Sequence, residues 1–395
     1  MKFSVQILLK NSLIFVFSSQ VFISALVLFN ENLGVYFNAF YLGLFVFFVL
    51  LFFLKKIDLF SLVLLCIPLW AMLSSVVHLM ISGRFDLGPI LKMLFVFLSF
   101  FIGIHGAVRY KWRLADFSWI GIIILISSII SLLLGDILGV EVSDPTYKTG
   151  LVGLTVHPAI TAMLISTAIP YLLAIKNSGR YLAILAYFCV FLTMRRTALF
   201  GCFPLIFLAN LSLFKSIRFV FLCVFFLVLS PFLFSFFDLF DSYFDRVNAL
   251  FIGDDDSGSG RYIFWNLILK RIAMEFGLFE YFFGEGVGVI DEFLLLRFGA
   301  AIGAHNDVLD LVFTYGILPA FFLVLFYFTV VIHLIKLKAS FNNSPVEYLC
   351  AWGIVFYLIF TSIVSGGAID VQASALFFAL GITLAVINKR DKVMI

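Results

Sequence analysis

Apolar runs of about 20 residues recur along the chain, and this is the length that a helix needs to cross a lipid bilayer. Hydrophobic residues make up 63% of the sequence and charged residues only 12%, whereas soluble globular chains are nearer half apolar and a quarter charged. The runs are continuous and do not alternate with polar residues, which disfavours a transmembrane β-barrel. The sequence therefore predicts an all-α polytopic membrane protein.

Charged breaks between the runs predict about twelve transmembrane helices. The expected spans are 12–30, 35–54, 58–80, 88–108, 116–136, 151–175, 180–196, 197–214, 218–238, 307–334, 347–366 and 370–388. The seventh and eighth spans share one apolar stretch that Arg195 and Arg196 interrupt. The first run follows Lys2 and Lys10 as in a signal peptide, but no small-residue cleavage site is clear, so we expect a retained helix.

Basic residues concentrate on one side of this predicted bundle. Six loops or tails carry them: Lys55 and Lys56; Arg109, Lys111 and Arg113; Lys176 and Arg180; Lys215 and Arg218; Lys336 and Lys338; Lys389, Arg390 and Lys392. Loops on the other side, such as 142–150, have fewer. Because cytoplasmic loops carry the excess of Lys and Arg, we predict that both termini are cytoplasmic.

One long break, residues 239–305, separates the spans into two groups and is longer than ordinary connections. We predict an N-terminal bundle of about nine helices over 1–238, a large outer loop over 239–305, and about three helices with a cytoplasmic tail over 306–395. Within the loop, apolar residues at helical spacing over 262–280 predict an amphipathic helix at the membrane interface. The polar turn 254–260 offers Ser259 as its N-cap.

The loop also contains the glycine-rich segment FGEGVG at 283–288. A nucleotide-binding fingerprint would need a preceding strand and a following helix in a soluble βαβ unit, and that context is absent here. A tight turn is therefore the better interpretation, since glycine adopts backbone conformations that other residues avoid.

Arginines at the edges of apolar segments are candidates for ligand binding, because a charge at mid-membrane costs roughly 2.5–3.5 kcal/mol. Arg195 and Arg196 lie at an outer edge, against the trend of the other basic residues, and Arg261 opens the predicted loop helix. A guanidinium binds phosphate well because it donates two parallel hydrogen bonds and stays charged. The alternatives are lipid-headgroup anchors for the pair and an exposed loop arginine for Arg261.

The segment GAHNDVLDLVFTYG at 303–316 places four polar residues before an apolar run. If a helix begins near Asn306, Asp307 and Asp310 share one face, and Asn306 or Asp307 could instead cap that helix. His305 would lie at the membrane boundary and could act as a general base beside a carboxylate. The other histidines have no charged neighbour in sequence, so we expect them to be core or interfacial residues.

A metal site is a competing interpretation, since His305, Asp307 and Asp310 offer nitrogen and oxygen ligands. No HExxH motif and no second acidic cluster close in sequence completes a ligand set. We therefore predict a catalytic group of these three residues with no metal and no cofactor.

Four motifs in order resemble the bacterial O-antigen polymerase and O-antigen ligase superfamily. They are RRTALFG at 195–201, GRYIFW at 260–265, FGEGVG at 283–288 and HNDVLDLVFTYG at 305–316. The resemblance implies a GT-C-like glycosyltransferase of the bacterial inner membrane with its active site facing the periplasm. Each motif is short, and their order and spacing carry the resemblance.

The resemblance also implies the substrate and the residue roles. A glycan on undecaprenyl diphosphate would be attacked at its anomeric carbon by an acceptor hydroxyl, without a metal. Arg195 or Arg196, together with Arg261, would bind the diphosphate, and His305 would be the base. Further donor or glycan contacts would come from Arg271, Arg297, Tyr262, Trp265 and Asn306. For the aromatic residues, anchoring at the membrane interface is the alternative.

Polymerase activity, which joins the growing glycan to the next lipid-linked repeat, is favoured over ligation to the lipid A core. Pro319 stands where the ligase motif usually has a small residue or tyrosine, although an arginine-x10-glycine pattern of some polymerases is missing. A flippase is the alternative from another class, but the two similar halves usual in flippases are not visible. Expected partners are the lipid-linked oligosaccharide, membrane lipid, a chain-length regulator and a flippase of the same pathway, and no nucleic acid.

Overall fold

The computed structural model describes residues 2–26, 31–49, 58–138, 151, 153–155, 157–193, 195–210, 261–298, 304–337 and 345–390. Its helices are α1 (Lys2–Ser18), α2 (Gln20–Ala25), α3 (Glu31–Phe48), α4 (Leu59–Ser82), α5 (Gly88–Tyr110), α6 (Ser118–Ile137), α7 (Pro158–Leu173), α8 (Gly179–Leu192), α9 (Arg196–Asn210), α10 (Arg261–Glu275), α11 (Leu278–Phe283), α12 (Val289–Phe298), α13 (Asp307–Tyr315), α14 (Ile317–Lys336), α15 (Pro345–Val364) and α16 (Ser374–Arg390). Short 3₁₀ turns precede α6 and α16.

The described part of the chain is helical, and seven of its segments are long and apolar enough to cross a membrane. They are Gln6–Ala25, Leu59–Ser82, Gly88–Tyr110, Leu114–Gly135, Ile317–Lys336, Val346–Val364 and Val371–Lys389. This confirms an all-α polytopic membrane protein. The count of twelve spans stays a prediction, and the expected span 218–238, the turn 254–260 and Ser259 lie outside the described residues.

Helices α5 and α16 form the centre of the bundle, and both are largely buried. A methyl group at Gly103 would overlap the carbonyl oxygen of Phe378, and one at Gly381 would overlap that of Phe100. Small residues at such contacts let two helix backbones approach closely, which is how helices associate where the hydrophobic effect is weak. The close approach places the beginning of α16 beside the first half of α5.

Contacts along α5 define the two ends of the bundle. We call the end at which α5 begins, at Gly88, the upper end, and the end at which it stops, at Tyr110, the lower end. Near the upper end Lys92 Nζ lies 3.8 Å from Asp370 Oδ1, just before α16. At the lower end Gln6 Nε2 donates to the Tyr110 carbonyl oxygen at 3.3 Å. Helix α1 therefore begins, and α16 ends, at the lower end.

Two predicted helices are each broken in the structure. The expected span 307–334 was wrong as one helix, because it consists of α13 and α14, which meet at Gly316 with φ +89°. The backbone passes so close to Phe282 there that a side chain would overlap the Phe282 carbonyl oxygen. The predicted helix 262–280 was likewise wrong as one segment. It divides into α10 and α11 at Gly277, whose backbone is extended. The Gly277 N–H donates to Glu280 Oε2 at 2.9 Å.

Helices α10, α11 and α12 form a small subdomain at the upper end. Phe264 and Ile268, four residues apart on α10, are buried with Leu294 of α12 and Phe313 of α13. Asn266 and Lys270 on the other face of α10 are exposed. Phe264 and Ile268 of the predicted apolar face thus pack on protein, whereas the apolar side chains of Ile263 and Met274 are exposed.

Candidate functional site

The carbonyl groups at the end of α11 are bound by three side chains of α4. Trp70 Nε1 donates to the Phe282 carbonyl oxygen at 3.0 Å, and Ser74 Oγ donates to that of Phe283 at 2.6 Å. His78 Nε2 lies 3.1 Å from the same Phe283 oxygen. The three donors are spaced four residues apart, so they share one face of α4. They fix the end of α11 against the upper part of that helix.

The glycine-rich segment 284–288 continues from α11 as a tight turn, as the sequence predicts. Gly284, Gly286 and Gly288 have φ values of +70°, +99° and +80°. The N–H of Glu285 donates to the Phe313 carbonyl oxygen at 2.8 Å, and that of Gly286 donates to the Thr314 oxygen at 3.2 Å. These bonds hold the last turn of α13, and so the turn positions the helix that follows His305.

Arg271 is engaged within the subdomain. Its Nε and Nη2 donate to the two carboxylate oxygens of Glu285 at 2.8 and 2.6 Å, and its guanidinium lies 4.6 Å from the ring centre of Phe293 and 5.5 Å from that of Phe313. Burial raises the pKa of Glu285, and the Arg271 hydrogen bonds oppose that rise. Arg271, predicted to contact a glycan, has a structural role in this structure, because it joins α10 to the glycine turn.

His305 occupies a left-handed backbone conformation directly before α13, with φ +53°. Its side chain is half-buried. Asn306 is the N-cap of α13, since its Oδ1 accepts from the Leu309 N–H at 3.0 Å, which confirms the capping alternative. The other end of the same amide donates to the Ile363 carbonyl oxygen at 2.9 Å. The dipeptide His305–Asn306 is thereby tied to the end of α15.

The two carboxylates of the motif bind backbone amides. Asp307 is 3% exposed, and its oxygens accept from the N–H groups of Gly367 and Ala368 at 2.6 and 2.9 Å. Asp310 Oδ1 accepts from the Ala304 N–H at 3.0 Å. Burial raises the pKa of Asp307 to about 7 and that of Asp310 to about 6. Asp307 does not cap α13, and its oxygens are directed into the protein.

Helix α10 lies beside His305 through Trp265, whose Nε1 donates to the Ala304 carbonyl oxygen at 2.7 Å. The predicted sugar contact of Trp265 therefore has a structural alternative. Arg261 and Tyr262 are the first residues of α10, one helical turn before Trp265, a rise of about 6 Å. Their side chains lie outside the described part of the structure. Arg297 is exposed on α12, and its guanidinium lies 5.6 Å from the Phe293 ring centre.

Helix α9, which begins at Arg196, runs antiparallel to α15. Gly201 packs against Tyr357, and four residues later Leu205 packs against Gly353. This direction places the start of α9 level with the end of α15, where Ile363 bonds Asn306. Arg195 is half-buried at this point, and the side chain of Arg196 is not among those described. The beginnings of α9 and α10 and the His305 turn thus lie at the same end of the bundle.

His105, one of the histidines expected in the core or at an interface, is half-buried and has a charged partner that its sequence neighbours do not show. His105 Nε2 lies 3.1 Å from Asp58 Oδ2 at the lower end, because α4 and α5 bring together residues that are distant in sequence. Burial would raise the pKa of Asp58, but hydrogen bonds from His105 and Ser61 hold it below its usual value. His157 caps α7 through the Ala159 N–H. Among the residues that the structure describes, no three His, Cys, Asp or Glu side chains are grouped as metal ligands.

Sequence reasoning missed the turn SGGAID at 365–370, which lies against the His305 backbone. Its signal was a Gly-Gly pair between two apolar runs. It also missed the three donors of α4, although a polar face with Trp70, Ser74 and His78 at intervals of four in an apolar helix was a visible signal.

Comparison of the chain with protein-family models gives no match, and comparison with curated proteins gives none either. The resemblance to the O-antigen polymerase and ligase superfamily therefore depends on its four motifs.

We predict that Glu285→Ala loosens the upper subdomain, because it leaves the partly buried Arg271 with only the exposed carboxylate of Glu275, 3.6 Å from its Nε. Breaking a fully buried pair costs about 3–5 kcal/mol and exposed pairs contribute about 0–1 kcal/mol, so the cost here should lie between the two. Limited proteolysis of the purified protein should show faster cleavage within 261–298. Glu292→Ala is the matched control, since Glu292 pairs with Arg84 at 3.1 Å where both side chains are exposed. Equal cleavage of the two variants would contradict the structural role of Arg271.

Proposed function

We propose that the chain is a membrane glycosyltransferase that polymerises a bacterial surface polysaccharide from undecaprenyl-diphosphate-linked repeat units. One observation carries the proposal: His305 is held in a left-handed turn at the same end of the bundle as the arginines that begin α9 and α10. A base and cations for a diphosphate are the two elements that this transfer requires.

In the proposed reaction His305 is the general base for the acceptor hydroxyl. The hydroxyl oxygen of the next repeat unit attacks the anomeric carbon of the donor glycan while His305 accepts the proton. The bond between that carbon and the diphosphate oxygen breaks, and undecaprenyl diphosphate leaves with the electron pair. The side chain is half-buried, so part of it is accessible to a substrate.

Negative charge on the departing diphosphate requires fixed positive groups. Arg195 and Arg196 lie at the beginning of α9, and Arg261 is the first residue of α10. The first turn of a helix has free N–H groups and the positive end of the helix dipole, both of which favour phosphate. Guanidinium groups at these two helix starts therefore support binding of an anionic leaving group.

The same proposal implies how the bundle and its donor lie in the membrane. The lipid tail of the donor would stay in the membrane among the apolar helices, and the upper end of the bundle would face the periplasm of the inner membrane. Both chain ends would then lie on the cytoplasmic side, in agreement with the positive-inside pattern. No metal and no cofactor is part of the proposed mechanism. A ligase would use the same base and cations with lipid A core as acceptor, so the acceptor distinguishes the two.

We predict that His305→Ala abolishes long polysaccharide chains, since a positioned general base contributes about 10²–10⁴-fold in rate. The measurement is the chain-length ladder on a gel from cells that carry the variant, with the amount of inserted protein checked by immunoblot. His333→Ala, a half-buried histidine near the lower end, is the control and should keep the ladder. A normal ladder with His305→Ala would refute the base role.

We also predict that Ala at Arg195, Arg196 or Arg261 weakens use of the donor, and that Lys restores activity poorly, because an ammonium does not reproduce the bidentate geometry. The measurement is polymer formed against the concentration of lipid-linked donor, which should show a higher KM in the affected variants. Arg84→Ala is the control, since Arg84 pairs with Glu292 on the surface. Unchanged donor dependence in all three alanine variants would count against diphosphate binding.

A further inference from the structure

The carboxylates beside His305 bind the protein backbone, which limits what they can do in the reaction. Asp307 is 3% exposed and accepts two N–H groups from the turn 365–368, at 2.6 and 2.9 Å. Asp310 accepts the N–H of Ala304, the residue directly before His305. Asp307 can therefore affect the reaction only through the residues that it holds, and the half-buried Asp310 holds the residue before His305.

His305 needs such support because its backbone conformation is unfavourable. A residue with a Cβ atom at φ +53° lies in the left-handed region, where Cβ crowds the neighbouring carbonyl oxygen. Such residues persist where the surrounding structure over-determines them. The direction of the imidazole follows from this backbone, so whatever fixes the backbone also aims the proposed base.

The turn 365–368 lies directly against the His305 backbone. Gly366 has φ +64°, and a Cβ atom there would lie 3.2 Å from both the Asn306 nitrogen and the His305 carbonyl carbon. Asp307 bonds the next two amides of the turn, and Asn306 Nδ2 bonds Ile363 just before it. The turn is therefore attached on both sides of its contact with His305.

The residue preceding His305 is fixed from two directions. The Ala304 N–H donates to Asp310 at 3.0 Å, and the Ala304 carbonyl oxygen accepts from Trp265 at 2.7 Å. Both main-chain polar groups of Ala304, which belong to the peptide units on either side of it, are thus bound by side chains, one from α13 and one from α10. His305 thus stands between two peptide segments that the carboxylates immobilise.

We propose that Asp307 and Asp310 are positioning residues, and that Asp307 as a carboxylate locks the turn 365–368 against His305 and thereby holds the imidazole in its working direction. The proposal rests on the proposed function for the role of His305. It assigns neither carboxylate to the substrate, and it gives the glycine turn a part in the site.

Proton uptake by Asp307 should weaken this lock, because a protonated carboxyl group offers one fewer acceptor to the two amides. The groups that face Asp307 are Asp310 on its own helix and Ser362 of α15, which is hydrogen-bonded to Tyr327 of α14 at 2.9 Å. Asp291 of α12 acts on Asp310. With the pKa of Asp307 at about 7, the two amides should lose protection as the pH falls through 7.

Global stability should follow the opposite trend. Burial raises the pKa of Asp307 above its usual value of 3.8, so this group favours folding most at acid pH. Its contribution is lost as the pH rises through about 7. A loss of amide protection toward acid pH that is confined to the turn therefore identifies the lock and is distinct from general unfolding.

Hydrogen exchange followed by mass spectrometry on the full-length protein in lipid nanodiscs tests the lock. We predict that Asp307→Asn lowers the protection of the segment 365–370 about tenfold, because the amide side chain offers one acceptor where the carboxylate offers two. In wild type this protection should fall as the pH is lowered from 8 to 6, and in the variant it should be low and independent of pH. Unchanged protection of this segment in Asp307→Asn would overturn the proposal.

Asp58→Asn is the matched control, since Asp58 also is buried and binds a backbone N–H, that of Ser61 at 2.9 Å, but near the lower end. It should leave exchange at 365–370 unchanged. Gly366→Ala provides a second variant if Asp307→Asn does not fold, because a Cβ atom there presses on the Asn306 nitrogen and should also raise exchange at 304–306. If Gly366→Ala leaves 304–306 unchanged, the turn does not hold His305.

Polymer formation in cells completes the test and separates the two proposals. Asp307→Asn should lower polymer roughly 10- to 100-fold at equal protein level, as expected for a misaligned catalytic group, while Asp58→Asn should not. If exchange increases as predicted but His305→Ala still makes long chains, the lock stands and the proposed function fails. If exchange increases and Asp307→Asn keeps full activity while His305→Ala has none, the positioning role is refuted.

Discussion

Backbone hydrogen bonding is the constraint on which the site depends. In a chain with this apolar content, irregular backbone within the bundle must find its partners inside the protein, because lipid offers none. The end of α11 meets this requirement through Trp70, Ser74 and His78. The turn before α16 meets it through Asp307. Polar side chains that look isolated in this apolar sequence thus form hydrogen bonds with the backbone of its turns.

These bonds converge on one place. The glycine turn after α11 holds the last turn of α13, and the turn 365–368 holds its first residue, so α13 is fixed at both ends. Trp265 attaches α10 to the peptide unit before His305. The residues that the sequence suggests as a catalytic group therefore divide by role: we propose that His305 meets the substrate and that its acidic neighbours hold it.

Hydropathy was enough to predict the helical membrane fold, because apolar length alone distinguishes a spanning helix. The glycine turn at 283–288 and the Asn306 cap also followed from local rules, since both depend on residues close in sequence. The break at Gly316 did not, because it arises from contact with Phe282. Local rules also could not predict contacts between residues that are far apart in sequence. These are the pairs Arg271–Glu285 and His105–Asp58 and the bonds of Asp307 to Gly367 and Ala368.

The lipopolysaccharide ladder of a strain that lacks this chain shows whether the chain is a polymerase. If it is, the strain should make lipid A core carrying a single repeat unit, with no longer bands, and a full ladder once the chain is restored. An unchanged ladder in the deletion strain would refute polymerase activity. So would bare core with intact lipid-linked polymer, which indicates a ligase, or loss of the lipid-linked repeat from the outer face, which indicates a flippase.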